Sequence, residues 1–166
     1  MKNCVLILLL LSGLLISCNK AKPAEENVAP EPKINANAAI GRMNDGAFIF
    51  NDTVVLKAVL AQNLDHQKKC RGKNISKIYV QQDEKSGGYL LMAKLEDGFS
   101  TLGILLEVKG DSFYFMNKDG HISYLLCISS NCQEGCNPEI SYIDGAPYLK
   151  CSYCAECEKA ESELHL

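Results

Sequence analysis

Six cysteines fall within residues 127–157, spaced C-x4-C-x3-C, then fourteen residues, then C-x2-C-x2-C. Thiols so crowded support three chemistries. Oxidised, they form two or three disulfides that hold together a segment with too few apolar residues for a core of its own. Cysteines two residues apart are poorly placed to bridge each other in extended chain, so the expected bridges run between the first triple (Cys127, Cys132, Cys136) and the second (Cys151, Cys154, Cys157). Six cysteines allow fifteen connectivities, and the spacing does not choose among them. Reduced, Cys132, Cys136, Cys151 and Cys154 have the outline of a zinc ribbon, two thiolates on either side of a short hairpin. That site would leave Cys127 and Cys157 over. The third chemistry is thiol-disulfide exchange at Cys151-Ser152-Tyr153-Cys154, or an iron-sulfur cluster. A ferredoxin-type run wants a fourth cysteine where Glu161 stands. A redox dithiol wants a helix start after a parallel strand, which the surrounding pattern does not supply.

The redox compartment decides between these readings, and the amino terminus speaks to it. Met1-Lys2-Asn3 is a small basic head, and residues 5–16 are apolar but for Ser12 and Gly13. This is the pattern of a secretory leader and is too short to span a bilayer, which takes ~20 residues. Leu15-Ile16-Ser17-Cys18 closely resembles the lipobox of bacterial lipoproteins. The resemblance implies cleavage before Cys18, lipidation of its sulfur, and a place in the cell envelope, held to a lipid bilayer and facing periplasm or cell exterior. Such an address is oxidising, so disulfides are the expectation, with zinc as the alternative cofactor and none otherwise. Cleavage removes seventeen of the 166 residues, Lys2 and Cys4 among them, and leaves 149 residues with net charge −4. An acidic chain of this kind does not suit nucleic acid, and residues 127–166 alone carry −5.

Seven mature cysteines remain once Cys18 is counted as lipidated. The number is odd, so one thiol stays free, pairs between molecules or binds something. Cys70 stands apart from the cluster as a further disulfide candidate, bridging its helix to the sheet or appendix. It lies four residues after His66, a weak metal-pair spacing. His66, His121 and His165 are the only histidines. They enter no recognisable triad or metal motif, and no nucleophile elbow or phosphate loop occurs. No catalytic residue is therefore assigned. The expected role is a non-catalytic binding or structural module for an unidentified envelope protein or polymer. Metal binding or sensing is second and thiol-disulfide oxidoreduction third.

The elements that must position these cysteines follow from patterning. Residues 18–37 hold Pro23, Pro30 and Pro32 and no aromatic residue, the composition of a tether that extends ~25 Å from its anchor. The folded α+β domain spans 38–129, a Cys-rich appendix 130–157 and an acidic tail 158–166. Asn44-Asp45-Gly46 signals a turn before a short apolar run at 47–50. Asn51 or Asp52 caps a helix of about 52–70 whose buried face is Val55, Leu56, Val59, Leu60 and Leu64, with Gly72 as its stop. Period-two runs follow at 75–82, 89–95, 100–108, 112–116 and 121–129, separated by breaks too short for a crossover helix. They imply an antiparallel meander with the amphipathic helix packed on one face. Helix then meander is similar in outline to the cystatin-like architecture, but that inhibitor family's Gln-x-Val-x-Gly loop is absent, so the likeness implies shape alone. In the appendix, 139–143 and 146–150 form a small hairpin about Asp144-Gly145. The tail is expected to fray or form a short acidic helix.

Overall fold

The computed structural model describes residues 32–68, 70, 72–129, 131–132 and 136–166. Residues 1–17, expected to be a leader, and Cys18, expected to be lipidated, lie outside the described residues. Ile34 and Ala36, inside the stretch expected to be tether, pack against the main core.

The first strands are β1 (Gly41–Asn44) and β2 (Ala47–Phe50). Asp45 and Gly46 both take positive φ, 50° and 78°, which is the two-residue turn that matches strand twist. Helix α1 (Thr53–Asp65) begins as its sequence predicts: Asp52 Oδ1 accepts from the Val54 and Val55 N–H groups at 3.0 and 2.9 Å. It buries Leu56, Val59, Leu60, Asn63 and Leu64. The helix ends five residues sooner than its pattern suggested. Asp65 Oδ1 accepts from the Gly72 N–H at 2.9 Å, and turn hydrogen bonds replace helical ones beyond it, Cys70 N–H donating to the Gln67 carbonyl and Lys73 N–H to that of Cys70. Gly72 takes φ 74° and closes the last turn rather than the helix.

The strands β3 (Ile75–Gln82), β4 (Tyr89–Leu95), β5 (Ser100–Lys109), β6 (Ser112–Phe115) and β7 (Ser123–Ser129) fall where the period-two runs place them. All pairings are antiparallel. The meander holds from β3 through β6 and then departs from the expectation. Because β6 has only four residues, it covers one half of β5, pairing residues 106–109. The other half, Ser100 to Ile104, is left for β7, so β5 has β4 along one edge and both β6 and β7 along the other. β1 pairs with β6.

After the hairpin β8 (Pro138–Ile143) and β9 (Ala146–Cys151), whose turn is again a positive-φ pair at Asp144 and Gly145, comes β10 (Cys157–Glu163). The acidic tail is neither frayed nor helical. Over all seven residues of β10 it pairs with β7, adding an edge strand to the large sheet. Beyond it, Leu164 is buried and donates its N–H to the Ile122 carbonyl at 2.7 Å. Helix formers such as Glu158, Lys159, Ala160 and Glu161 become a strand because the open edge of β7 offers a full ladder of backbone partners.

The sheet is covered on both faces, where one was expected. Leu91, Ala93 and Leu95 of β4, Leu102, Ile104 and Leu106 of β5, and Tyr124 and Leu126 of β7 share the main cluster with Leu56, Leu60 and Leu64 of α1. The alternate residues point the other way. Leu90 and Met92 pack with Ile140 of the hairpin, and Leu125 and Cys127 with Cys136, flanked by Leu149. The molecule is thus mostly antiparallel β, layered as helix, sheet and hairpin, with a single short helix among the described residues. The hairpin approaches so closely because β5 has Gly103 beneath it: a β-carbon there would lie 2.8 Å from Pro138 Cγ and nearer still to Pro138 Cβ.

Candidate binding surface of the stapled hairpin

Three cysteine pairs at disulfide distance fasten the hairpin and its flanking loops: Cys127 with Cys151, Cys132 with Cys154 and Cys136 with Cys157, at Cα separations of 5.7, 6.3 and 5.7 Å. Every pair joins the first triple to the second, as the spacing predicts. The order of pairing is also fixed: first with first, second with second, third with third. Cys127 lies on β7 and Cys157 opens β10, so two of the three bridges run from the large sheet, one to Cys151 at the end of the hairpin and one to Cys136 just before it. The four cysteines of the zinc-ribbon outline are divided among all three pairs. Cys151 and Cys154, the two ends of the candidate redox motif, bond to different partners.

Cys70 is the one free thiol among the described residues, and it is fully buried in the main cluster rather than bridged to the sheet or appendix. Burial pushes its thiol up, against the pull of Lys73. Close by, Lys73 Nζ donates to Asp97 Oδ2 at 2.7 Å, and Ser100 Oγ donates to the same oxygen at 2.7 Å. The ring of His66 lies 6.3 Å from that of His165, centroid to centroid. The His66 and Cys70 pair joins no group of three metal-binding side chains among the described residues.

Where the hairpin overhangs the sheet it leaves two open clefts. One, of about 440 Å³, has Leu105, Tyr124, Leu125 and Leu149 in its lining, Met116, Pro147 and Tyr148 beside them, and Lys118, His121, Glu161 and Glu163 among its polar groups. Both of its carboxylates are paired: His121 Nδ1 lies 3.1 Å from Glu163 Oε2, and Lys159 Nζ 3.2 Å from Glu161 Oε1. The second, of about 520 Å³, runs past Tyr79, Gln81 and Lys94 to Cys132, Tyr153 and Cys154. Both have the size of small-ligand clefts. Tyr142, Ile143, Tyr148 and Tyr153 are exposed, Tyr153 completely. Among the described residues only one other aromatic side chain, Phe99, is as open to solvent.

His121, Glu161 and Glu163 come together only because β10 lies beside β7, with Glu163 opposite Ser123. Nothing in the local sequence signals that pairing, so the first cleft was not legible from the residues. Tyr142, Tyr148 and Tyr153 can be read from the sequence as aromatic character in the Cys-rich appendix, without the surface they share. No protein-family model, curated protein or solved structure matches the chain.

Proposed function

We propose that the chain is a lipid-anchored envelope lipoprotein whose folded part is a non-catalytic binding module, with the stapled hairpin and its adjoining clefts as the surface that meets a partner. The observation that carries this reading is the placement of exposed aromatics: three of the four in the described residues sit on the hairpin or the turn after it. Large apolar side chains left open on one covalently held element favour recognition over core filling. A rigid platform lowers the ordering cost of binding, because its side chains are already placed. The partner is an envelope protein or polymer that a neutral-to-acidic aromatic surface can stack upon. Attachment to the bilayer is through Cys18, which keeps the module within reach of the membrane.

Two measurements test the two halves of the reading. Cys18→Ala should move the protein from the detergent phase to the aqueous phase; unchanged partitioning removes the anchor. A photo-reactive residue placed at Tyr148 or Tyr153 in cells should give discrete adducts, whereas one at exposed Gln82 of β3 should give none. Equal labelling at the three positions would reject the hairpin as the recognition surface.

A further inference from the structure

We infer that, when its bridges are reduced, the chain presents a four-thiolate site for a soft dication of the zinc type, formed by Cys127, Cys136, Cys151 and Cys157 between sheet and hairpin. This is a different quartet from the zinc-ribbon outline. In the β7–β10 register Cys127 faces Lys159 and Ser129 faces Cys157, so Cys127 and Cys157 are diagonal neighbours on one face of the sheet. On the hairpin Pro138 faces Cys151, and Cys136 stands two residues before Pro138. Two thiols from each layer therefore enter the same gap. The sulfurs of Cys127, Cys136 and Cys151 all lie within 4.8 Å of one another; that of Cys157 stands outside this trio and is tied to it through its pairing with Cys136. Four thiolates around zinc at ~2.3 Å place sulfurs about 3.8 Å apart, so the trio needs only a small contraction, and Cys157, once its bridge to Cys136 is reduced, must turn toward the other three to complete the site.

The surroundings favour the site. Cys127 and Cys136 have no exposure, and Leu125 and Leu149 flank them, which excludes competing water. The Cys132–Cys154 pair lies outside this group, in the wall of the second cleft, and contributes no ligand. The conversion balances as follows. Each of the two bridges takes two electrons and two protons from a dithiol reductant, which leaves as its own disulfide. One dication then displaces up to four protons to solvent, giving a site of net charge −2.

Cobalt(II) is the probe. After anaerobic reduction of the purified protein with a phosphine, titration should give one tetrahedral cobalt per chain, with thiolate charge-transfer and visible bands that zinc abolishes. The Cys132→Ser/Cys154→Ser variant should keep the spectrum and affinity. Cys127→Ser/Cys157→Ser should weaken binding roughly tenfold or more. The inference is overturned by a reduced wild type that gives no such spectrum, or by a site that needs Cys132 and Cys154 in place of Cys127 and Cys157. Equal affinity in concentrated urea would also overturn it, because a site assembled by the fold must bind more tightly than loose thiols.

Discussion

Two side chains carry disproportionate weight. Asn63 sits on the buried face of α1 at 3 % exposure, a polar residue in an otherwise apolar stripe. Its amide holds the end of the chain: Nδ2 donates to the His165 carbonyl at 2.8 Å, and Oδ1 accepts from the His165 N–H at 2.7 Å. The Tyr124 hydroxyl donates to the Asn63 carbonyl at 3.3 Å and accepts from Gln67 Nε2 at 3.0 Å. Asn63→Ala strands two backbone groups of His165, so it should cost about 2 kcal/mol and speed hydrogen exchange at Leu164 and His165 ahead of the rest of the sheet. Unchanged exchange there would show that the clamp is idle. Asp97 is the second. Burial opposes its charge, but hydrogen bonds from Lys73, the Ser100 hydroxyl and the Ser100 and Phe99 N–H groups prevail and hold its carboxyl at about 2, below the usual 3.8. The folded state then binds this proton more weakly than the unfolded state. The resulting stability is fully present above 3.8 and is lost as pH falls through about 2. It is on the order of 2 kcal/mol at most. Asp97→Asn should lower stability at neutral pH and flatten the acid limb of the denaturation profile; a parallel limb would assign acid sensitivity elsewhere.

At the level of elements, the contact between β5 and β8 makes the sharpest prediction. Alanine suits a strand interior better than glycine by roughly 0.5–1 kcal/mol, so propensity alone favours Gly103→Ala. The added methyl has nowhere to go but into Pro138. Overpacking of that kind costs ~1–3 kcal/mol, so the substitution should destabilise, and in a Pro138→Gly background the penalty should shrink or reverse. A penalty that is the same in both backgrounds would mean that the hairpin does not press on β5. The elements that could be read from sequence are those with strong local signals: the Asp52 cap, the alternating runs, and the Asp-Gly turns at 45–46 and 144–145. β1 and β10 were not legible because Gly41–Asn44 and Cys157–Glu163 carry no strand signal of their own and owe their state to neighbouring edges. The second covered face did leave a mark. Leu90 to Ala93 and Tyr124 to Cys127 are unbroken apolar runs, which a sheet wetted on one side does not need. That the cysteines pair across the two triples could be read from their spacing. Which cysteine meets which could not, because partnership depends on how the hairpin lies over β7.

For the whole molecule, the question is which layer the bridges support. They close overlapping loops with sequence separations of 24, 22 and 21. Singly, a loop of that length is worth about 3 kcal/mol, and overlap makes the three together worth less than the sum. The apolar core is divided unequally between the faces. Among the described residues, nineteen buried side chains form the cluster on the helix side, against three in each of the two clusters under the hairpin. Loss of the bridges therefore removes most of what holds the hairpin and little of what holds α1 to the sheet. β10 keeps its place by seven paired residues on β7 and by the Asn63 clamp, neither of which involves sulfur. Reduction without metal should then release β8 and β9 first: amides of Ile140 and Leu149 should lose protection from hydrogen exchange, and an apolar dye should bind the uncovered face. Amides of Leu91 and Leu102 should stay protected under the same conditions. Simultaneous loss across β4, β5 and β8 would mean that hairpin and sheet fold as one cooperative unit, and that the bridges stabilise the entire chain instead of the recognition surface they fasten.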